Sequence, residues 1–382
     1  MRRTFLFFFL VLAVSCVEPY PPPVSDEQAS STMVVDGFID GTKDIATIKL
    51  TYATALADSK EAQKLSGARV WIEDEQQNKT NLSETAAGIY TSSGASFATG
   101  NKYQLHVDRG TNVEYHSDYV ELLPTPPIDS VTWEADDLDV AFFVNTHDPD
   151  NKINFFKWDF LETYEYTSPI QSKYKVINGE VVFSPGAESN STCWQTLASQ
   201  DVLTTSVERL TDKVVYRYPI YRLAGDDLKL WWMYSMIVRQ TSLEKTAYTF
   251  WSNLKETTEN LGGLFDAMPA EVRGNIHSSD PNDLVLGYFY ASEVSEKRIF
   301  IAFYDLPDPI LRIPRIRDEC VTWNISVPEV KHLEEHTLVI KPLTDLRGNL
   351  IGYEVGTDRC IDCRVYRKGT LQRPDFWPAV SF

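Results

Sequence analysis

Long apolar stretches are almost missing from this chain of 382 residues, and basic side chains are few. Beyond residue 14, no run approaches the roughly 20 apolar residues that a membrane-spanning helix requires. Lysine and arginine total 36 against 54 aspartate and glutamate residues, which gives a formal net charge of −18. Such an acidic surface repels phosphate backbones, so we expect no nucleic-acid partner.

The signatures of common enzyme classes are also missing from the sequence. It contains no G-x-S-x-G nucleophile motif, no phosphate-binding loop and no dinucleotide fingerprint. Its 43% hydrophobic and 24% charged residues are ordinary for a globular chain, and its 12% aromatic share favours β structure. We therefore expect a mainly β protein that is not an enzyme and holds no cofactor.

The first residues indicate export and lipid attachment. Two arginines precede the apolar residues 5–14, and Cys16 follows directly after small side chains. This order predicts a lipoprotein signal peptide over residues 1–15 and acylation of Cys16, although Ala13 stands where a leucine is usual. Residues 16–31 then carry the lipid and form a proline-rich spacer. The alternative is a conventional signal peptide in which the cysteine has no role.

Cysteine is scarce, with five residues in all. Apart from Cys16 they are Cys193, Cys320, Cys360 and Cys363, an even number that predicts two disulfides in an exported chain. Three pairings are possible, and spacing does not separate them. A redox or zinc role for the final C-x-x-C lacks the helix-opening frame or second close pair that it needs, so we favour structural cross-links.

The chain divides into two predicted β units. Short alternating runs separated by turn residues fill residues 32–123 and predict an immunoglobulin-like β-sandwich. Prolines at 124, 126 and 127 mark a boundary, because such a density does not fit a central strand. Residues 124–382 then predict a larger domain of the β-sandwich type with a cysteine-containing C-terminal tail.

One amphipathic helix is predicted over residues 242–261. Apolar residues recur there at steps of three and four, which gives a single apolar stripe. Thr241 and Glu244 have capping-box spacing at its start. We expect this helix to pack across one face of the second sheet.

Two of the six histidines belong to a sequence motif that is associated with metal chemistry. His332, Glu335 and His336 match H-x-x-E-H, in which two histidines on one helical face bind zinc and the glutamate acts as general base. A strand pattern follows at once and leaves only two helical turns, so we favour an exposed charged turn and keep a zinc hydrolase as a remote alternative. His106 and His116 lie singly on predicted strands and are interpreted as solvated or hydrogen-bonded.

A set of short motifs resembles a known family. They are Gln240-Thr241-Ser242-Leu243, Leu264-Phe265-Asp266, Gly274-Asn275-Ile276, Val285-Leu286-Gly287-Tyr288-Phe289, Cys193-Trp194 and Cys360-Ile361-Asp362-Cys363-Arg364. Spread over nearly the whole chain, they resemble the Bacteroidota lipoprotein family catalogued as domain of unknown function 4249. The resemblance implies an outer-membrane lipoprotein, often encoded near TonB-dependent transporters, and it brings no catalytic residues.

The resemblance and the lipid signal together lead to a functional expectation. We expect a lipoprotein held to outer-membrane lipid through Cys16, exposed at the cell surface, that serves as a non-enzymatic accessory or ligand-capturing subunit of a TonB-dependent β-barrel transporter. Its ligand is not indicated by the sequence. The alternative is a structural or adhesive surface lipoprotein. Asp129-Ser130-Val131 also fits the O-glycosylation pattern of Bacteroidota, which makes Ser130 a candidate acceptor.

Overall fold

The computed structural model describes residues 32–54, 62–136, 138–184, 190–259, 272–311 and 320–379. The predicted signal peptide, Cys16 and the spacer lie outside these residues. The chain is mainly β, with 52% strand and 12% helix arranged in several sheets. This confirms the predicted fold class of sandwich-like β units with few helices.

Twenty-three strands follow one another along the described part of the chain. The first group is β1 (Met33–Asp40), β2 (Ile45–Tyr52), β3 (Arg69–Asp74), β4 (Lys79–Ala86), β5 (Ile89–Ser92), β6 (Lys102–Asp108), β7 (Glu114–Ser117) and β8 (Val120–Glu121). The second is β9 (Ile128–Ala135), β10 (Asp139–His147), β11 (Phe155–Thr167), β12 (Tyr174–Ile177), β13 (Glu180–Phe183), β14 (Thr192–Ala198), β15 (Leu203–Ser206), β16 (Val214–Ala224) and β17 (Met233–Ser242). The third is β18 (Ile276–Ser278), β19 (Val285–Ser292), β20 (Val294–Ala302), β21 (Thr322–Ser326), β22 (Thr337–Thr344) and β23 (Leu350–Thr357).

Helices are fewer and mostly short. The α-helices are α1 (Lys245–Glu259), α2 (Asp308–Leu311), α3 (Asp358–Ile361) and α4 (Cys363–Arg367). Within the described ranges, three further turns are 3-10 helices, Leu228–Leu230, Phe303–Asp305 and Val327–His332. Among the described helices, none is both long and apolar enough to cross a membrane.

The first unit is a ten-stranded sheet wrapped around one core. Its strand order is β18-β7-β6-β3-β4-β5-β2-β1-β19, with β8 paired to β6. Alternate residues of β6, namely Tyr103, Leu105 and Val107, are buried, as their sequence pattern predicts. Side chains from strands at both ends of the sheet belong to the same core, so the sheet folds over to form a sandwich.

Two strands of this first unit come from far along the chain. β19 pairs in parallel with β1 from Met33–Val285 to Asp40–Ser292, and β18 pairs with β7. The predicted division into 32–123 and 124–382 is therefore wrong at this point, because residues 276–292 complete the first sheet. The prolines after residue 123 lie between β8 of the first unit and β9 of the second, but they carry no information about pairing over long sequence distances.

The second unit is a sandwich of two smaller sheets. One contains β16-β10-β9, and the other contains β14-β11-β17-β20 with β15 paired to β11. Their facing side chains form a common aromatic core that includes Phe142, Trp158 and Tyr234. β17 lies between β11 and β20 and is buried along most of both faces, as its continuous apolar run predicts.

The observed helix α1 begins later than predicted. Thr241 and Ser242 belong to β17, so the predicted capping box and the start at 242 are wrong; residues 260 and 261 lie outside the described residues. The Ser242 amide instead donates to the hydroxyl oxygens of Thr125, at 3.0 Å, and Ser292, at 3.1 Å. Tertiary hydrogen bonds thus override the local capping signal.

The apolar stripe of α1 joins the two units. Ala247 and Phe250 pack with Phe155 at the start of β11 and with Tyr288 and Tyr290 of β19. The stripe itself is confirmed, but the helix covers both units and not the second sheet alone. Its position follows from β19, which the first sheet recruits.

The C-terminal region is a small module stapled to the second unit. The sheet β21-β23-β22 packs on the β12–β13 hairpin around Val330, Tyr353 and Val355. Disulfides join Cys193 to Cys363 and Cys320 to Cys360, which confirms the prediction of two cross-links and supplies their pairing. Cys360 and Cys363, which are three residues apart, have different partners, so they do not form a disulfide with each other.

Candidate ligand-binding cleft

A cleft of about 440 Å³ lies between the two units. Strand alternation supplies its lining, because residues of β1 and β2 that point away from the first core face the corresponding outer residues of β11 and β17. Its charged residues are Asp36, Asp40, Lys43, Lys49, Lys157, Asp159 and Arg239. The remaining lining residues are Phe38, Ile45, Thr47, Thr241, Tyr290 and Val294.

Most of the charges in the cleft are paired with one another. Lys49 Nζ lies 3.0 Å from Asp36 Oδ2, and Arg239 Nε donates to Asp159 Oδ1 at 2.6 Å. Lys43 Nζ lies 2.8 Å from Oε1 of Glu296, just outside the lining. The walls are therefore held by ion pairs across neighbouring strands, which fixes the charge pattern that a ligand would meet.

Lys157 is the cation of the cleft whose ion pair is the longest. Its side chain is only 13% exposed, and its Nζ lies 3.4 Å from the Tyr290 hydroxyl and 4.0 Å from Asp159 Oδ2. The ammonium also lies over the rings of Trp251, at 4.9 Å, and Tyr290, at 5.7 Å. Burial acts to lower the pKa of Lys157, but Tyr290 and Asp159 outweigh it, so the pKa lies above its usual range and the group stays charged.

Aromatic rings form one wall of the cleft. The rings of Phe38 and Tyr290 are 4.6 Å apart, and Trp251 of α1 packs edge-on against Tyr290 at 6.1 Å. Burial raises the pKa of the Tyr290 hydroxyl, which therefore stays neutral. The cleft thus combines a charged floor with an apolar aromatic side.

The sequence candidates lie elsewhere. Ser130 lies on the edge strand β9, partly buried, and its Oγ accepts a hydrogen bond from Asn145 Nδ2 at 3.0 Å. Its O-glycosylation stays a prediction. Cys16 lies outside the described residues. Thr241, named in the sequence as a capping residue, lines the cleft, but none of the charged or aromatic lining residues was singled out, because charges alternating with apolar residues on a strand are typical of a solvent-facing surface.

The H-x-x-E-H stretch does not form the helix that zinc chemistry needs. His332 ends a 3-10 helix, and Glu335 and His336 are exposed on the turn after it. His336 has a φ of 69°, and its Nδ1 pairs with Asp358 Oδ2 at 2.6 Å. Within the described ranges, no three histidine, cysteine, aspartate or glutamate side chains converge as a metal site.

Histidines that look isolated in the sequence form a row on the first sheet. His106 of β6 faces His116 of β7, which faces His277 of β18. Ring centroids are 6.3 Å and 5.7 Å apart along the row, and Trp71 stacks on His106 at 5.0 Å. Burial lowers the pKa of His106. No sequence signal reveals this row, because β18 joins the sheet from far along the chain.

These features define a mainly β protein of two joined sandwich units with a charged, ligand-sized cleft between them. The chain belongs to the family described as Domain of unknown function (DUF4249), whose model matches residues 17–298. The family resemblance seen in the sequence is thereby confirmed. The match ends before the cysteine-containing tail, so the motif at 360–364 lies outside it.

Comparisons with other proteins add no further assignment. No curated protein matches the chain. A crystal structure of a DUF4785 family protein from Legionella pneumophila aligns at 9% identity and a TM-score of 0.16, over 52% of this chain and 48% of its own, so this chain spans about half of it. A structure of manganese lipoxygenase of Gaeumannomyces graminis with partial zonadhesin of Komagataella pastoris aligns at 9% identity and a TM-score of 0.19, over 72% of this chain and 95% of its own. Similarities this low support no statement about activity.

Proposed function

We propose that this protein is a non-enzymatic lipoprotein of the outer membrane, anchored through Cys16 and exposed at the cell surface. In this role it captures a small ligand and serves as an accessory subunit of a TonB-dependent transporter. The observation that carries the proposal is the cleft between the two units. The lipid signal and the family resemblance seen in the sequence support the proposed location and partner.

The cleft has the properties of a small-molecule site. Its volume of about 440 Å³ falls within the range of roughly 300–1,000 Å³ that such sites occupy. Apart from Lys43, which lies in the turn after β1, its charged residues lie on β1, β2, β11 and β17, so ordered strands position most of the polar groups. Ion pairs such as Lys49–Asp36 hold these groups in place before a ligand arrives, which reduces the ordering cost of binding.

The acylated N-terminus would place this cleft near a transporter. Several acyl chains on Cys16, at about 0.8 kcal/mol for each buried CH₂, make membrane attachment effectively permanent. A spacer at residues 16–31 leaves the folded units free to reach a neighbouring β-barrel. Confinement to one membrane raises the effective concentration of the two partners.

Copurification tests the proposed role. The tagged protein is isolated from detergent-solubilised outer membranes, and we expect a TonB-dependent β-barrel transporter to accompany it. A Cys16→Ser variant, which cannot be acylated, is the control and should leave the membrane fraction. Recovery of the acylated protein without any transporter would contradict the accessory role.

One observation favours the structural or adhesive alternative. The β12–β13 hairpin exposes apolar side chains that include Ile177, 53% exposed, and Phe183, 58% exposed. Exposed apolar side chains that cluster on one element are typical of surfaces that contact another protein. Deleting the gene separates the two roles, because loss of adhesion with unchanged nutrient uptake would favour the adhesive one.

A further inference from the structure

We propose that the cleft selects organic anions, and that the ammonium of Lys157 binds a carboxylate whose apolar or planar body rests against Phe38 and Tyr290. This inference names the ligand class of the cleft and rests on its proposed role as a ligand site. It concerns the chemistry of recognition and is independent of which transporter is the partner.

The Lys157 ammonium has N–H donors that are available to a ligand. An ammonium group carries three N–H donors. In the described structure its one hydrogen bond, to the Tyr290 hydroxyl, is long at 3.4 Å. Asp159 Oδ2 lies 4.0 Å from Lys157 Nζ, too far for a hydrogen bond, and Asp159 is already bound by Arg239 at 2.6 Å, so Asp159 favours the charged lysine without accepting any of its N–H donors.

The carboxylates of the cleft already have hydrogen-bond or ion-pair partners within the protein. Asp36 is paired with Lys49, and Asp159 with Arg239. Asp40 Oδ1 accepts from the backbone amides of Thr42, at 3.0 Å, and Lys43, at 3.1 Å. A cationic ligand would have to displace these partners, whereas an anion meets in Lys157 an ammonium whose one hydrogen bond is long.

The lining of the cleft differs in charge from the chain as a whole. Four cationic and three anionic side chains line the cleft, while the chain as a whole carries a formal charge of −18. Lys157 is also nearly buried, and a charge-assisted hydrogen bond to it is stronger there than one at the surface. The cleft thus lacks the excess of negative charge that the chain as a whole carries.

The apolar side of the cleft indicates the size and shape of the rest of the ligand. Phe38, Tyr290, Ile45 and Val294 give the cleft an apolar side next to Lys157. A volume of about 440 Å³ exceeds the needs of a single inorganic anion and suits a ring or short chain that carries a carboxylate. Flat apolar groups pack well against aromatic rings such as the Phe38–Tyr290 pair.

The test compares benzoate with benzamide, a neutral molecule of nearly the same shape. Isothermal titration calorimetry on the wild-type protein should show benzoate binding at least about tenfold more tightly. Lys157→Met should remove this preference, and Lys157→Arg, which keeps the charge, should retain most of it. Equal binding of the two probes, no detectable binding of benzoate, or an unchanged preference in Lys157→Met would overturn the proposal.

Lys79→Met is the matched control variant. Lys79 also lies over a tryptophan, 5.2 Å from the ring of Trp71, and pairs with Glu73 at 3.4 Å, but it does not line the cleft. It should leave the preference for benzoate unchanged. A loss equal to that of Lys157→Met would mean that overall charge, and not this cleft, attracts the anion, and would overturn the proposal.

A second measurement decides the matter if Lys157→Met does not fold. Reductive methylation of wild-type Lys157, followed by mass spectrometry of its peptide, should be slowed by benzoate and not by benzamide. Equal methylation rates with both probes would overturn the anion inference. Transporter copurification is read separately, so its success with failure of both benzoate tests would reject the ligand class alone.

Discussion

The side-chain amide of Asn275 is hydrogen-bonded to both backbone groups of Phe289. Asn275 Nδ2 donates to the Phe289 carbonyl at 2.8 Å, and the Phe289 amide donates to Asn275 Oδ1 at 2.9 Å. The Asn275 carbonyl accepts from the Asp118 amide at 2.8 Å. A single buried side chain thus connects the strands at the two ends of the first sheet.

We expect Asn275→Ala to destabilise the protein by about 2–6 kcal/mol, since two buried backbone groups lose their partners at about 1–3 kcal/mol each. Urea unfolding measures this loss. The control is Asn349→Ala, because Asn349 also makes paired hydrogen bonds but lies on an exposed turn, where water replaces the lost partners. Similar losses in the two variants would contradict a closing role for Asn275.

We expect Gly287→Ala to cost about 4 kcal/mol or more, or to prevent folding. Gly287 has a φ of +107°, and a Cβ there would lie 1.8 Å from the Val35 carbonyl oxygen. Gly348→Ala is the matched control, with a φ of +83° and no atom within 4 Å of the added Cβ. It should cost only about 1–2 kcal/mol, the price of a left-handed backbone alone. Soluble yield and guanidinium unfolding compare the two.

We expect peptide mapping without reduction to recover Cys193 linked to Cys363 and Cys320 linked to Cys360. Replacing the first pair by alanine should cost about 1 kcal/mol more than replacing the second, because the closed loop is longer in the chain-entropy model. The sequence separations are 170 and 40 residues. A linkage between Cys360 and Cys363 would contradict the fold of the C-terminal module.

We expect stability to fall on acidification partly because of His106. Burial lowers the pKa of His106 in the folded protein, so the unfolded chain binds the proton more readily. Its contribution is therefore complete above the unfolded pKa, about 6.5, and is lost as the pH falls towards the folded pKa. His106→Phe, which keeps a ring against Trp71, should flatten the pH dependence of the unfolding free energy between about pH 7 and pH 5. An unchanged slope would refute this account.

His336 gives the opposite sign and is the natural comparison. Its hydrogen bond and ion pair with Asp358 raise the pKa of His336. Its stabilising contribution is therefore present below the unfolded pKa and is lost as the pH rises through the folded pKa. His336→Gln should remove stability on the acid side, whereas His106→Phe should preserve it there. Urea unfolding at a series of pH values compares them.

Local patterns in the sequence predict local structure well in this protein. The alternation at Tyr103, Leu105 and Val107 follows from the two-residue period of a strand, and the stripe at Ala247 and Phe250 follows from the helical period. Both patterns depend only on which face is buried. They need no knowledge of the partner strand or sheet.

Predictions that depend on distant partners are less complete. The capping-box spacing of Thr241 and Glu244 is present, but Ser242 is held in β17 by Thr125 and Ser292, which no local window contains. The lining of the cleft is hidden for the same reason. Lys157 is an ordinary outward-facing lysine of β11 until the first unit packs opposite it.

Several residues of the family motifs have a structural role. Gln240 is fully buried, accepts a hydrogen bond from Trp158 Nε1 at 2.8 Å, and donates to the carbonyl of Pro126 at 2.8 Å. Asn275 and Gly287 close the first sheet, as described above. These motif positions therefore hold together the strands within each unit.

The parallel pairing of β1 with β19 also sets the order in which the polypeptide can mature. During synthesis, β1 emerges about 250 residues before its parallel neighbour, so the first sheet stays incomplete while the intervening unit is made. An open strand edge invites pairing with other chains during that interval. We therefore expect the nascent polypeptide to depend on chaperones until residues 285–292 arrive.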